Sequence, residues 1–304
     1  MWIVGGFLAL LAIAALALWI ALRDNSVRVL DRVDRVTGGS RDVALVEQAS
    51  LGPDPLSKIA LYRHSEAAEP LPVVLFVHGG SWVWGSPDDY GFVARSIAPQ
   101  GYLVALSGYR LGEAGKFPAM LEDTAAAVRW LRDNAARHGG DPERIWLVGH
   151  SAGAYNVVQV ALEKRWLNEA GVPQDAIAGV IGLSGPYDFL PLDSDATKLV
   201  FGSAEDLPAT QPINHVRGDA PPLYLLTGEQ DTTVRPRNTR VLGKAVAEAG
   251  GAVVTRFYPT LNHSHPVIHL ATPWRGRNPA FGDDILAILS GEIEASVPVQ
   301  RNSR

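Results

Sequence analysis

One serine stands in a setting that favours nucleophilic chemistry. Residues 149–153 (GHSAG) have the pattern G-x-S-x-G and lie between an apolar run predicted as a strand, 144–148, and a predicted helix that begins near Ala152. A serine on a sharp strand-to-helix turn projects its hydroxyl away from the sheet, and small neighbours permit the strained backbone. The free N–H groups at the helix start, among them that of Ala152, favour a developing negative charge. The pattern predicts Ser151 as a nucleophile rather than as part of a tight structural turn.

A glycine pair offers a second group of backbone donors. The segment HGGSW (78–82) directly follows the almost wholly apolar run PVVLFVH (72–78). Glycines let backbone N–H groups approach a reacting carbonyl closely. Alone, this segment is typical of a simple turn that ends a strand. Beside the serine pattern, it indicates a loop that helps to hold an oxyanion.

Several segments together resemble the esterase/lipase branch of the α/β-hydrolase superfamily, with similarity to bacterial carboxylesterases grouped with kynurenine formamidase and hormone-sensitive-lipase relatives. In order they are HGGSW (78–82), SGYRL (107–111), FPAMLEDTAAAVRWL (117–131), GGDPERIWLVGHSAGA (139–154) and GEQD (228–231). The resemblance covers roughly residues 50–292. It implies an α/β-hydrolase fold with a mostly parallel eight-stranded sheet and helices on both faces, an ester substrate, and neither a metal nor an organic cofactor. It also implies that Gly80 and Ser81 join Ala152 in the oxyanion hole.

The partners of the serine follow from the same resemblance, because in this fold serine, acid and histidine succeed one another along the chain. Asp231 matches the acid, on the loop after a predicted strand, and Glu229 in that loop is the alternative. His263 matches the histidine of the family's Tyr-Pro-x-x-x-His, and His265 competes with it. The expected roles are attack by Ser151, proton transfer by His263 and orientation of the imidazole by Asp231.

Other side chains near these motifs have two interpretations. His78 is expected to hold its own loop, and His150 to pack beside the nucleophile. Aromatic side chains close to the motifs either line a pocket for the acyl or alcohol group or pack in the core: Trp82, Trp84, Tyr155, Tyr187 and Phe189.

Three functions are compatible with this set of residues. The first is a serine hydrolase that cleaves carboxylic esters through an acyl-enzyme. The alternative is an arylformamidase of the kynurenine formamidase type, which shares the same triad and is separated from the first by a substrate panel. The third is an inactive receptor or adhesion module, which expects a broken triad, whereas all three members occur in order. A histidine base predicts activity that rises through roughly pH 6–7.5.

The N-terminus differs from the rest of the chain. From Trp2 to Leu22 there is no charged side chain, and a helix of this length spans roughly 30 Å, one hydrocarbon core. The run predicts a single-pass membrane anchor at 1–22 and a location at a membrane; a cleaved signal peptide is the alternative. Arginines at 23, 28, 32 and 35 favour a cytoplasmic body under the positive-inside rule, and the opposite orientation stays open.

The remaining chain is predicted to form one catalytic domain. Residues 23–42 are polar and charged, which predicts a juxtamembrane linker before an α/β-hydrolase domain at 43–304. Apolar strands alternate with helices, as in a parallel sheet covered on both faces. The segment 186–221, between two predicted strands, predicts a small cap over a cleft for small-to-medium esters.

The composition of the chain excludes several classes of protein, partner and site. The chain has 304 residues, of which 47% are hydrophobic and 19% charged, so it can bury an ordinary core. A net charge of −5 provides no basic surface, which excludes nucleic acid as a partner. The sequence contains no cysteine, so disulfides, thiolate nucleophiles and thiolate metal sites are excluded.

Overall fold

The computed structural model describes residues 25–39 and 41–297. The anchor or signal peptide predicted at 1–22 lies outside the described residues. Within the two described ranges, no helix is both long enough and apolar enough to cross a bilayer.

Eight strands form a single sheet. They are β1 (Val43–Ser50), β2 (Lys58–His64), β3 (Leu71–Val77), β4 (Leu103–Ser107), β5 (Gly140–His150), β6 (Ile177–Leu183), β7 (Leu223–Gly228) and β8 (Val253–Tyr258). Across the sheet they lie in the order β1-β2-β4-β3-β5-β6-β7-β8. Only β2 runs against its neighbours, β1 and β4, and every other pair is parallel. The predicted eight-stranded, mostly parallel sheet is confirmed.

Helices connect the strands and cover the sheet. They are α1 (residues 25–36), α2 (Gly91–Ile97), α3 (Ala119–Asn134), α4 (Ala152–Leu162), α5 (Arg165–Glu169), α6 (Asp195–Phe201), α7 (Arg237–Glu248), α8 (His265–Ile268), α9 (Thr272–Arg275) and α10 (Pro279–Ser290). The predicted helix that begins near Ala152 is α4, which ends at Leu162, and α5 begins three residues later at Arg165.

The sheet separates two apolar layers. On β3, Val73, Leu75 and Val77 point into the layer that contains α3 and α4. Val74 and Phe76, which alternate with them, point into the layer that contains α2 and α10. A parallel strand covered on both sides needs apolar residues at every position, which is why its sequence shows no polar alternation.

Part of the segment predicted as a linker is folded onto the domain as α1. Positions 27, 30, 31 and 34 share one face of this helix at helical spacing. Leu30, Asp31 and Asp34 on that face are buried, and both carboxylates pair with Arg95 of α2. Two of the charged residues that predicted a linker, Asp31 and Asp34, thus belong to a buried ion cluster. The folded domain therefore begins before residue 43.

The segment predicted as a cap, 186–221, contains α6 and two short 3-10 turns. Its Phe189 and Phe201 pack against Trp82, with ring centroids 5.9 and 4.9 Å apart. Both rings also contact Tyr155, at 5.8 and 5.3 Å. These contacts make an aromatic cluster that belongs to the core.

Candidate active site

Ser151 occupies the sharp turn between β5 and α4. Its φ of 54° and ψ of −119° lie where residues other than glycine are rare and strained. A Cβ at Gly149 would overlap the backbone of Gly153, so this flank of the turn must be glycine. Ser151 is 8% exposed, and that exposed part borders a cavity.

A continuous hydrogen-bonded chain joins the three residues predicted as a triad. The Ser151 Oγ lies 2.9 Å from His263 Nε2, and His263 Nδ1 lies 2.8 Å from Asp231 Oδ2. Because a carboxylate only accepts, Nδ1 carries the proton and Nε2 is free to accept from the hydroxyl. The other Asp231 oxygen accepts the backbone N–H groups of Thr233 and Val234, at 2.9 and 2.8 Å. The buried carboxylate is thereby fixed in orientation.

The sheet brings these residues together from distant parts of the chain. Ser151 directly follows β5, Asp231 lies three residues beyond β7, and His263 lies five residues beyond β8. Strands β5 to β8 are adjacent and parallel, so their carboxyl ends share one edge of the sheet. Ligand sites of open α/β sheets form at this edge.

Glu229 and His265, the alternatives for the acid and the histidine, bond to residues outside the hydrogen-bonded chain of Ser151, His263 and Asp231. Glu229 forms an ion pair with Arg240 at 2.5 Å. The His265 Nδ1 accepts the backbone N–H of Asn262 at 3.1 Å, and its ring stacks on His269, 5.4 Å between centroids. Neither side chain bonds to Ser151 or His263 within the described residues.

The loop that follows β3 has an unusual backbone. Gly80, Ser81 and Trp82 have φ values of 124°, 51° and 60°, all in the left-handed half of conformational space. A Cβ at Gly80 would overlap the backbone oxygen of Trp84, so glycine is required there. The N–H groups of Gly80, Ser81 and Ala152 donate to no acceptor among the described residues. Gly80 and Ser81 border the same cavity as Ser151.

His78 supports this loop, as the sequence predicted. Its Nδ1 donates to the Gly79 oxygen at 2.7 Å, and its own backbone oxygen accepts the Tyr109 hydroxyl at 3.0 Å. Burial lowers the pKa of His78 to about 4, against a raising effect of the Gly79 carbonyl. The ring is therefore neutral near pH 7 and serves as a fixed donor.

His150 makes a contact that the sequence interpretation missed. Its Nε2 donates to the backbone oxygen of His263 at 2.8 Å, and the two rings lie 5.1 Å apart. Burial first, and the neighbouring His263 second, lower the pKa of His150 to about 3. The residue before Ser151 is thus a neutral ring that holds the loop of His263 in place. No local signal in the sequence pairs positions 150 and 263.

A cavity of about 410 Å³ opens over Ser151 and His263. Of the five aromatic residues proposed as pocket candidates, Trp84 lines it and the other four do not. Trp82 instead donates its indole N–H to Asn156 at 3.1 Å, within the aromatic cluster described above. No residue of 186–221 that the structure describes lines this cavity.

One wall of the cavity comes from α1, which the sequence interpretation did not place near the site. This helix contributes Ser26, Val27, Val29, Leu30 and Val33. The apolar spacing of residues 27 to 33 was the available signal, and it was outweighed by the surrounding charges. Across residues 25–39 and 41–297, no three histidine, aspartate or glutamate side chains are grouped as a metal site requires.

Comparison with known proteins relates the chain to esterases. The BD-FAE family profile matches residues 59–246. The probable isoprenylcysteine alpha-carbonyl methylesterase ICMEL1 of Oryza sativa subsp. japonica is 26% identical over an alignment of 264 residues, which covers 79% of this chain and 61% of that protein. Esterase LipQ of Mycobacterium tuberculosis is 29% identical over an alignment of 241 residues, which covers 72% of this chain and 56% of that protein. The match thus spans less than two thirds of the length of these relatives.

The fold is also found among solved structures. The crystal structure of inhibited esterase B from Lactobacillus rhamnosis superimposes with a TM-score of 0.73, covering 93% of this chain and 97% of that one at 21% identity. At this identity the likeness establishes the fold alone. The family profile, however, covers more than half of the chain. The chain therefore belongs to the BD-FAE family, within the esterase/lipase branch of the α/β-hydrolase superfamily.

Proposed function

We propose that the protein is a serine hydrolase that cleaves carboxylic esters through an acyl-enzyme intermediate. The observation that carries the proposal is the unbroken chain of hydrogen bonds from Asp231 through His263 to Ser151 at the edge of a cavity. Named esterases among the relatives support the same reaction class.

In the first half-reaction the Ser151 oxygen attacks the ester carbonyl carbon while His263 Nε2 takes the hydroxyl proton. The negative charge that forms on the carbonyl oxygen is stabilised by the N–H groups of Gly80, Ser81 and Ala152. Such donors each contribute on the order of 10²–10³ in rate. The carbon–oxygen bond to the alcohol then breaks, and the alcohol leaves with the proton from His263.

The second half-reaction repeats these roles with water. His263 takes a proton from water, whose oxygen attacks the acyl carbon bound to Ser151. The serine oxygen leaves and regains a proton from His263, and the carboxylic acid is released. Asp231 holds the imidazole in one tautomer throughout and stabilises its protonated form. Because the Asp231 Oδ1 is already occupied by two backbone N–H groups, Oδ2 alone faces the ring.

The test is the initial rate of p-nitrophenyl acetate and butyrate hydrolysis by the full chain in detergent, beside Ser151→Ala. We expect the variant to lose at least about 10³ in kcat, as when a serine nucleophile is removed. Ser290→Ala, at the exposed end of α10, is the matched control and retains the wild-type rate. Equal rates in Ser151→Ala and wild type would contradict the proposal. N-formyl aromatic amides in the same panel test the arylformamidase alternative.

We also propose that residues 1–22 hold the protein at a membrane as a single-pass anchor. The support is the uncharged run from Trp2 to Leu22 and its length, matched to a bilayer core. Membranes from cells that make the full chain would be washed with alkaline carbonate, and the N-terminus of the bound protein would be sequenced. Retention with the original N-terminus is expected. Release by carbonate, or a new N-terminus after the apolar run, would contradict an anchor.

A further inference from the structure

Apart from the N–H groups proposed for the oxyanion, the cavity over Ser151 offers no opposite charge to a charged substrate group. Its walls within the described residues contain no Asp, Glu, Lys or Arg side chain. A charged substrate group would lose its hydration there without compensation, which is costly. At ~30 Å³ for each non-hydrogen atom, as in liquid water, the cavity of about 410 Å³ holds roughly a dozen atoms. Its size and chemistry therefore fit an uncharged hydrocarbon group larger than acetyl.

Two helical segments form apolar walls of the cavity, and we call the space that they line the slot. Val29 and Val33, one turn apart on α1, belong to the first wall. Val267 and Ile268 of α8 and Trp274 of α9 belong to the second. Apolar side chains from both walls thus line the same cavity as Ser151.

A buried ion cluster fixes α1 in this position. Arg95 Nη2 donates to Asp31 Oδ1 at 2.6 Å, and Arg95 Nε donates to Asp34 Oδ2 at 2.7 Å. Arg95 is 9% exposed, Asp31 4% and Asp34 1%. A planar guanidinium that bonds two carboxylates through separate nitrogens constrains both the distance and the angle between α1 and α2.

Asp34 also ties the two walls of the slot to each other. Its second oxygen, Oδ1, accepts the backbone N–H of Thr272 at 2.6 Å. Thr272 begins α9, which carries Trp274 of the second wall. The Asp34 carboxylate of α1 therefore bonds both α2 and α9, and it holds the two walls together.

We propose that α1 is a specificity element that, with α8 and α9, forms a binding slot for an uncharged hydrocarbon chain of the ester substrate. This inference rests on the proposed esterase function and adds the substrate class. The slot favours esters whose acyl or alkoxy group carries a medium-length chain over acetate esters of small alcohols. Each methylene that enters it increases kcat/KM roughly fourfold, until the slot is filled.

The test compares Val33→Trp with Val36→Trp in the full chain in detergent. Val33 faces the slot, whereas Val36 lies on the same helix and is 83% exposed. The measured quantity is the ratio of kcat/KM for p-nitrophenyl octanoate to that for p-nitrophenyl acetate. We expect this ratio to be well above one in wild type, at least tenfold lower in Val33→Trp, and within twofold of wild type in Val36→Trp. Val29→Trp, one turn earlier on the slot face, is expected to lower it as Val33→Trp does.

A parallel series of acetate esters of ethanol, hexanol and octanol identifies the side of the ester that enters the slot. A lowered ratio in the acyl series alone assigns the slot to the acyl chain, and a lowered ratio in the alcohol series alone assigns it to the alkoxy chain. Unchanged ratios for Val29→Trp and Val33→Trp in both series would overturn the inference, as would a wild-type ratio near one in both. If no ester is hydrolysed in a Ser151-dependent manner, the proposed function itself has failed, so the two failures are distinguishable.

Discussion

The Nε2 nitrogen of His150 lies 2.8 Å from the backbone oxygen of His263, so the residue before Ser151, the proposed nucleophile, holds the main chain of the proposed base. His150 acts as a positioning residue, because it touches the loop of His263 rather than the reacting atoms. With a pKa of about 3, it stays neutral from pH 5 to 9 and adds no step to the activity profile in that range.

Removal of this donor is expected to slow the chemical step. In His150→Leu the part-buried His263 oxygen loses its partner, which costs up to about 1–3 kcal/mol. We expect kcat to fall about 10- to 100-fold with a smaller change in KM. His150→Gln, which keeps an N–H donor, recovers most of the loss. His64→Leu, at the end of β2, is the control and keeps the wild-type kcat. Equal losses in the Leu and Gln variants would contradict positioning by this bond.

Two buried neutral histidines make the folded state sensitive to acid. Burial lowers the pKa of His78 to about 4 and that of His150 to about 3, against ~6.5 in an unfolded chain. Below pH 6.5 the unfolded chain binds protons that the folded chain does not. The free energy of unfolding is therefore fully retained above pH 6.5 and falls as pH drops towards 4 and 3, by roughly 1 kcal/mol per pH unit for each histidine.

Urea unfolding at about pH 7.5 and about pH 5 measures this effect. Wild type is expected to lose more stability between the two conditions than His150→Leu, by roughly 2 kcal/mol, because the variant lacks one of the two titrating groups. Parallel losses in the two proteins would mean that His150 takes up a proton equally in the folded and unfolded states.

Arg95→Met is expected to destabilise the protein and loosen the slot together. The variant keeps the apolar stem but leaves Asp31 and Asp34 as buried carboxylates without their cation, which costs about 3–5 kcal/mol. We expect a lower urea midpoint and a lower octanoate-to-acetate ratio of kcat/KM. The control is Arg129→Met, whose partner Asp133 is half exposed, and its loss is below about 1 kcal/mol. Similar stability losses in the two variants would show that the buried ion cluster contributes no more to the free energy of unfolding than an exposed ion pair does.

Gly80→Ala tests the oxyanion loop. A Cβ at Gly80 would overlap the Trp84 oxygen, so the loop must shift and its N–H groups leave the reacting carbonyl. We expect kcat to fall about 10²–10³-fold. Gly101→Ala is the matched control, because Gly101 also has a positive φ, of 89°, but a Cβ added there would meet no atom within 4 Å. Gly101→Ala is expected to lose about 1 kcal/mol of stability and to keep the wild-type kcat. An equal loss of kcat in both variants would show that the loss does not come from the loop at Gly80.

The sheet could be predicted from the sequence because apolar runs that alternate with helices are a local pattern. The candidate partners of Ser151 came from a family resemblance, which left Glu229 and His265 as alternatives. Strand-ending loops carry Ser151, Asp231 and His263, and parallel strands place such loops at one edge. Resemblance to a family supplied their order. Their mutual bonds at 2.8 and 2.9 Å are a property of the folded sheet.

The wall of the cavity could not be predicted in the same way. The cluster that holds α1 depends on Arg95, which is 61 residues from Asp34 and 64 from Asp31. Without that partner, a segment with charges at 31, 32, 34 and 35 is typical of a solvated linker. Trp82 and Trp84 present a similar difficulty. They are two residues apart, yet Trp82 is in the core and Trp84 lines the cavity. The chain turns at this point, since the N–H groups of Val83 and Trp84 both donate to the Gly80 oxygen.

The bonds of Asp34 to Arg95 and Thr272 determine which residues beside the slot can be substituted without a loss of stability. Only such residues are free to change the preference for substrate chain length. A substitution at Asp34 removes a buried carboxylate that bonds both α2 and α9, so selection for stability opposes it. Val29 and Val33 border the slot without taking part in the ion cluster. Variation in chain-length preference among descendants of this sequence should therefore accumulate at positions 29 and 33, while position 34 stays an aspartate.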